Sequence, residues 1–141
     1  MRPEAKLQKR VCEYLQDKYP NVIFHSDLSA GMSLSIGQAV QNKKLQFSNG
    51  LPDLYILEPM VEFHKIMGLP TLTPRNYSGL LLELKADGVS IYLKDGITLR
   101  KDDHLAEQWR MLVSLREKGY KAEFGLGYEA TIKIIDEYLG T

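Results

Sequence analysis

A chain of 141 residues with one cysteine and 44% hydrophobic residues has the size of a single domain, 1–141, and should bury about 70% of its unfolded surface with no disulfide. Eighteen basic residues against eighteen acidic ones leave a formal net charge of zero, which excludes a strong overall field for drawing in nucleic acid and leaves such contacts to local patches. Apolar runs fall far short of the ~20 residues of a membrane helix and the N-terminus lacks a secretory apolar core, so the expectation is an intracellular, cytoplasmic protein with no membrane role.

Pro3 suits a first helical turn, and Leu7, Val11, Tyr14, Leu15 and Lys18 follow at helical spacing until Tyr19-Pro20. Glu4 and Gln8 extend that inward stripe toward the N-terminus. Val22 to Phe24 reads as a short strand, the stretch through Gly37 has no clear pattern, and Gln38 to Gln46 reads as a brief helix. Leu54 to Leu57 and Leu80 to Lys85 read as buried strands. Between them a Pro-punctuated connection from Pro59 to Gly79 carries one helical turn at Val61 to Met67. Asp95-Gly96 sits between the alternating runs Ser90 to Lys94 and Ile97 to Lys101, a two-residue hairpin signal that predicts a protruding ribbon. Asp102 and Asp103 supply cap chemistry for a helix from His104 to Lys118, with Leu105, Gln108, Leu112 and Leu115 inward. A strand from Tyr120 to Leu126 and a helix from Glu129 to Leu139, with Ile132, Ile135 and Leu139 at core spacing, complete the order. That order indicates an α/β domain whose helices cover a central sheet.

The charges inside the strand-like runs call for an explanation. Asp53 closes Gly50-Leu51-Pro52-Asp53 at the head of one run, while Glu83 and Lys85 lie in Leu80-Leu81-Leu82-Glu83-Leu84-Lys85. An unpaired buried carboxylate costs several kcal/mol unless a cation offsets it. Magnesium or manganese suits this role, since hard cations prefer carboxylate and carbonyl oxygens. Residues two apart on a strand share a face, so Lys85 should lie beside Glu83 with Leu84 turned the other way. That is the layout of a phosphodiesterase.

Residues 1–50 hold seven Lys or Arg against four acids, a net of +3, and Arg2, Lys6, Lys9, Arg10, Lys43 and Lys44 are the candidate phosphate contacts. His25, His64 and His104 lack metal-ligand spacing, which with a single cysteine leaves no zinc constellation; His104 reads as part of a helix start. Tyr55, Tyr92 and Trp109 read as packing residues before base-stacking ones, and Cys12 as a small buried hydrophobe.

Gly50-Leu51-Pro52-Asp53-Leu54, then Gly79 to Lys85, then the helix from His104 through Gln108 to Lys118-Gly119-Tyr120 resemble the PD-(D/E)xK nucleases, in particular the virus-type replication-repair nuclease domain, VRR-NUC. The likeness spans nearly the whole chain. It implies a restriction-endonuclease-like core, a central mixed β-sheet flanked by helices, here with an inserted β-hairpin. It also implies that Asp53 and Glu83 bind Mg2+ or Mn2+, that Leu84 lends its backbone carbonyl, and that Lys85 assists the attacking water. Glu4 and Gln108 match an acidic residue on the first helix and a glutamine on the helix after the lysine strand. The implied activity is a DNA endonuclease acting on branched, junction or flap DNA in phage replication, recombination or repair, in a bacterium or a phage-infected host cell, and a homodimer. A catalytically silent DNA-binding or assembly module of the same fold is the alternative, and a sequence-specific restriction-type enzyme a third, which would need more chain for target readout.

Overall fold

The computed structural model describes residues 2–27, 34–48, 50–66 and 69–140, with 62–66 and 69–75 described by their backbone alone. Among the described residues the elements run α1 (Pro3–Lys18), β1 (Phe24–Ser26), α2 (Ile36–Lys44), β2 (Leu54–Ile56), β3 (Met60–Ile66), β4 (Leu69–Tyr77), β5 (Leu80–Lys85), α3 (Asp103–Glu117), β6 (Lys121–Leu126) and α4 (Tyr128–Leu139). Four strands form one sheet in the order β1-β2-β5-β6. β2 is antiparallel to β1 and β5, and β5 is parallel to β6. This is the mixed α/β architecture predicted from the order of the elements.

β5 is the central strand, with Leu80 to Leu84 all buried, and its two-residue alternation divides the molecule into two layers. Leu80, Leu82 and Leu84 join Leu54, Ile56, the α1 stripe Leu7, Val11 and Leu15, and Ile135 of α4 in one core. Leu81 joins Leu105 and Leu112 of α3, Ala122 and Phe124 of β6, and Ile91 on the other face. Glu83 and Lys85, in phase with Leu81, are thereby directed to the α3 side. On α1, Tyr14 and Lys18 leave the expected inward stripe for α4: the Tyr14 and Tyr19 hydroxyls donate to Asp136 at 2.8 and 2.6 Å, and Lys18 Nζ pairs with it at 3.2 Å. Burial works to raise the Asp136 pKa, but the bonds from Tyr19, Tyr14 and Lys18 outweigh it and hold the carboxyl below its ordinary range.

Close approach of β6 to α4 requires glycine at 125. A Cβ there would lie 2.5 Å from Thr131 Oγ1 and 3.0 Å from Leu84 Cδ2, and Thr131, fully buried, donates its hydroxyl to the Gly127 carbonyl at 2.6 Å. Gly125→Ala is expected to cost about 1–3 kcal/mol, read as an earlier midpoint in urea unfolding. The same contact sets the register of α4, whose buried residues are Thr131, Ile135 and Tyr138; of the predicted stripe, Ile132 and Leu139 only flank the core.

Three sequence expectations are corrected. The segment from Pro59 to Gly79 carries no helical turn at Val61 to Met67; Met60–Ile66 and Leu69–Tyr77 pair as an antiparallel ribbon, Met60 opposite Tyr77 and Ile66 opposite Leu69, and Met67 lies outside the described residues. Pro70 and Pro74 are tolerated because each strand of a two-stranded ribbon has one free edge, where a missing N–H is not needed. The ribbon predicted around Asp95-Gly96 is present but short: a bridge from Tyr92 to Leu99, flanked by bonds from Leu93 N–H to the Thr98 carbonyl at 2.8 Å and from Arg100 N–H to the Ile91 carbonyl at 2.9 Å. Asp95 Oδ1 accepts from the N–H groups of both Ile97 and Thr98 at 2.9 Å, widening the expected two-residue turn, while Ile91, 1% exposed, packs its side chain into the core. The early elements also shift: β1 is Phe24–Ser26, and a capping box between Ser35 and Gln38 starts α2 at Ile36.

Candidate active site

Asp53 sits one residue before β2, whose register with β5 pairs Leu54 with Leu82. The Asp53 N–H reaches that same Leu82 carbonyl at 3.0 Å and its own carbonyl accepts from Asp27 N–H at 2.9 Å, so the regular ladder breaks here and leaves the Asp53 carboxyl beside Glu83. Like charges in that relation repel. The Leu84 N–H donates to Asp53 Oδ2 at 2.8 Å, fixing the carboxylate against the β5 edge. From α3, Gln108 reaches both charged groups of the strand: its Nε2 donates to Glu83 Oε1 at 2.7 Å, and its Oε1 accepts from Lys85 Nζ at 2.8 Å. Behind Asp53 a polar chain runs from α1, Gln8 Nε2 donating to Ser26 Oγ at 2.6 Å and Ser26 Oγ to the Asp53 carbonyl at 2.9 Å.

No family model matches the chain, and no curated protein does. A solved structure of a VRR-NUC domain protein superposes with a TM-score of 0.61, at 19% sequence identity, over 99% of this chain and 89% of the other. The fold is that of a VRR-NUC domain. At that identity the likeness establishes the architecture, and the chemistry rests on the residues themselves.

Within this VRR-NUC fold, both strand carboxyls titrate above their ordinary range. Burial raises Asp53 first, against the Leu84 N–H that lowers it, and the Glu4 charge adds to the rise. Glu83, 5% exposed, is raised further, by burial and then by repulsion from Asp53, with the attraction of Lys85 too small to offset them. Among the described residues Lys85 makes no ion pair; its ammonium is held by the Gln108 carbonyl. The two adjacent acids share a side-chain hydrogen bond and, among the described residues, neither is ion-paired with a lysine or arginine. A divalent metal fits that deficit. Among the described residues no three of His, Cys, Asp and Glu group closely enough to enclose one; a metal held here would have two carboxylates and a backbone carbonyl as its protein donors. Leu84 C=O leaves the strand on the same edge as its N–H, toward Asp53. An all-oxygen partial shell suits magnesium, which keeps several waters.

The structure brings Asp53, Glu83, Leu84, Lys85 and Gln108 together. Glu4, exposed in the first turn of α1, acts on both carboxyls through its charge and forms no hydrogen bond to either. Of the six candidate phosphate contacts, Lys9 pairs with Glu13 at 4.0 Å and the Arg10 guanidinium lies 3.9 Å over the Tyr128 ring. Lys6, Lys43 and Lys44 are exposed, as is Arg2, the N-cap residue of α1. Tyr55 and Tyr92 pack against the α3-side core, Trp109 stacks on Phe124, and Cys12 is half-buried rather than buried. The His64 side chain lies outside the described residues. Cavities of about 380 and 280 Å3 share Tyr77 and Lys121, at the start of β6 and away from the acids. Among the described residues no helix is long and apolar enough to cross a membrane.

Sequence reasoning missed Ser26 and His104. Ser26 buttresses Asp53 from another strand, and nothing in its local pattern announces that. The His104 Nε2 lies 3.2 Å from Gln108 Nε2, and the i, i+4 spacing of the two residues is a signal that was available.

Proposed function

We propose that this chain is a Mg2+- or Mn2+-dependent nuclease that hydrolyses phosphodiester bonds in DNA. The observation that carries this reading is the adjacent, cation-deficient pair Asp53 and Glu83 with Lys85 beside it and Gln108 bridging Glu83 and Lys85. Asp53, Glu83 and the Leu84 carbonyl would hold the metal, which when bound supplies activation of water and neutralisation of charge on the phosphate. Lys85 spends one N–H on Gln108 and has two left for the nucleophile and a phosphate oxygen. Gln108 keeps the ammonium from collapsing onto Glu83. Asp53 is held rigid by Leu84 N–H and by the Ser26 and Gln8 chain, the preorganisation that an in-line attack demands. Glu4 adds negative charge at the rim, and Arg2, Lys6, Lys9, Arg10, Lys43 and Lys44 are the cations on offer to a DNA backbone.

The resemblance supports a branched, junction or flap substrate, a homodimer, and a setting in phage-type replication, recombination or repair in the cytoplasm of a bacterium or infected host cell. The test is cleavage of linear, nicked, flapped and four-way DNA by the purified protein with magnesium, manganese or chelator. Metal-dependent cutting with a preference for the branched forms is expected. Cutting that persists in chelator would refute the metal assignment, and binding of DNA without cutting under any metal would make the chain a silent module of the same fold.

A further inference from the structure

The geometry points to His104 as a positioning residue that fixes the Gln108 amide, and through it Lys85; its effect on turnover rests on the nuclease reading, its geometry does not. Gln108 is 5% exposed, so each of its amide hydrogens needs an acceptor. One goes to Glu83 Oε1 at 2.7 Å. With Oε1 occupied by Lys85 Nζ at 2.8 Å, the other faces His104 Nε2 at 3.2 Å. An N–H can meet that nitrogen only if it presents its lone pair, so the imidazole proton belongs on Nδ1. His104 lies in the first turn of α3, behind the Asp102 cap, whose carboxylate accepts from Leu105 N–H at 3.0 Å. The ring is therefore carried on a capped, rigid helix end, one turn before the amide it holds.

The consequence is directional. Glu83 and Lys85 select which end of the amide faces which group, and His104 takes the remaining hydrogen, locking rotation about the terminal torsion. Without it the second amide hydrogen loses its protein acceptor, the amide is held by Glu83 and Lys85 alone, and the Lys85 ammonium has a looser anchor. The ligands themselves are untouched, so substrate and metal binding should remain.

Glutamine places a carbonyl oxygen where His104 has Nε2, whereas asparagine places it where Nδ1 is. His104→Ala and His104→Asn are therefore expected to lower kcat about tenfold with KM unchanged, and His104→Gln to recover most of it. Equal activity of His104→Ala and wild type, or equal rescue by asparagine and glutamine, would overturn the proposal. A readout independent of cleavage is the long-range proton–nitrogen NMR spectrum of 15N-histidine-labelled protein at about pH 8, where imidazole is ordinarily neutral. The His104 signals, identified by their loss in His104→Ala, should show the proton on Nδ1, and Gln108→Met should shift it toward Nε2. A proton on Nε2 in the wild type would overturn the proposal even if the protein cuts DNA. Should the wild type cut no DNA, the nuclease reading fails while this spectrum still decides the placement of His104.

Discussion

Lys85→Ala is expected to reduce DNA cleavage by about 10²- to 10⁴-fold while leaving DNA and metal affinity nearly unchanged. The ammonium touches neither carboxylate as an ion pair and is held at 2.8 Å by Gln108 Oε1, so removing it takes away a group aimed at the reacting atoms, not a ligand. Lys85→Arg should not restore turnover, because a planar fork on a longer reach cannot occupy the place of a compact ammonium seated on one carbonyl. Single-turnover cleavage at saturating protein, set beside manganese titration calorimetry on each variant, separates the two effects. Undiminished cutting by Lys85→Ala would remove this residue from the chemistry.

Glu83→Gln is expected to abolish cleavage and, in chelator, to make the protein more stable. Both strand carboxyls titrate above the ordinary range in the folded chain, Glu83 more than Asp53. A group raised on folding contributes its stability fully below its unfolded pKa, near 4, and loses that contribution as pH rises through the folded value. The metal-free wild type should therefore lose stability from mildly acidic toward alkaline pH. Glutamine removes one charge of the repelling pair, keeps an acceptor for Gln108 Nε2, and should stabilise by about 1–3 kcal/mol at alkaline pH, or about 3–5 °C in Tm per kcal/mol for a chain of this size. The difference between variant and wild type is what matters, because Asp136, held low by Tyr19, Tyr14 and Lys18 against its burial, acts oppositely, losing its contribution as pH falls. Magnesium should raise the wild-type Tm and leave the variant nearly unmoved. Equal melting of the two in chelator at every pH would mean that the acids do not strain the fold.

Much of this was legible in the sequence because it is periodic. The α1 stripe Leu7, Val11 and Leu15, the buried run Leu80 to Leu84 and the Leu105-Gln108-Leu112 face all lie at spacings that mean one thing. A strand with period two also dictates that Glu83 and Lys85 share a face, so the meeting of Asp53 with Glu83 needed only strand adjacency. What departed from expectation was decided by particular contacts that periodicity does not encode. Asp95-Gly96 is a sound turn signal and the chain does fold back there, but the Asp95 carboxylate captures two local N–H groups, which widens the bend and keeps the ribbon short. Pro70 and Pro74 argued against strands at 69–77, although a ribbon with a free edge accommodates them. On α4 Ile135 is buried as its spacing predicts, but Thr131 and Tyr138 take the places expected for Ile132 and Leu139, because Gly125 on the neighbouring strand leaves room for Thr131 against β6.

The ribbon of β3 and β4 departs from β2 at Ile56 and returns to β5 at Leu80, and these two residues are themselves paired. The gap it spans is therefore no wider than an ordinary hairpin bend, and residues 61 to 76 are an appendage grafted onto a joint that would close without them. Such a joint tolerates lengthening, trimming or replacement by foreign sequence, since Asp53 and Glu83 are aligned from the opposite end of the same strand pair. The molecule thus has a port at which reach or partner choice can be altered independently of its chemistry.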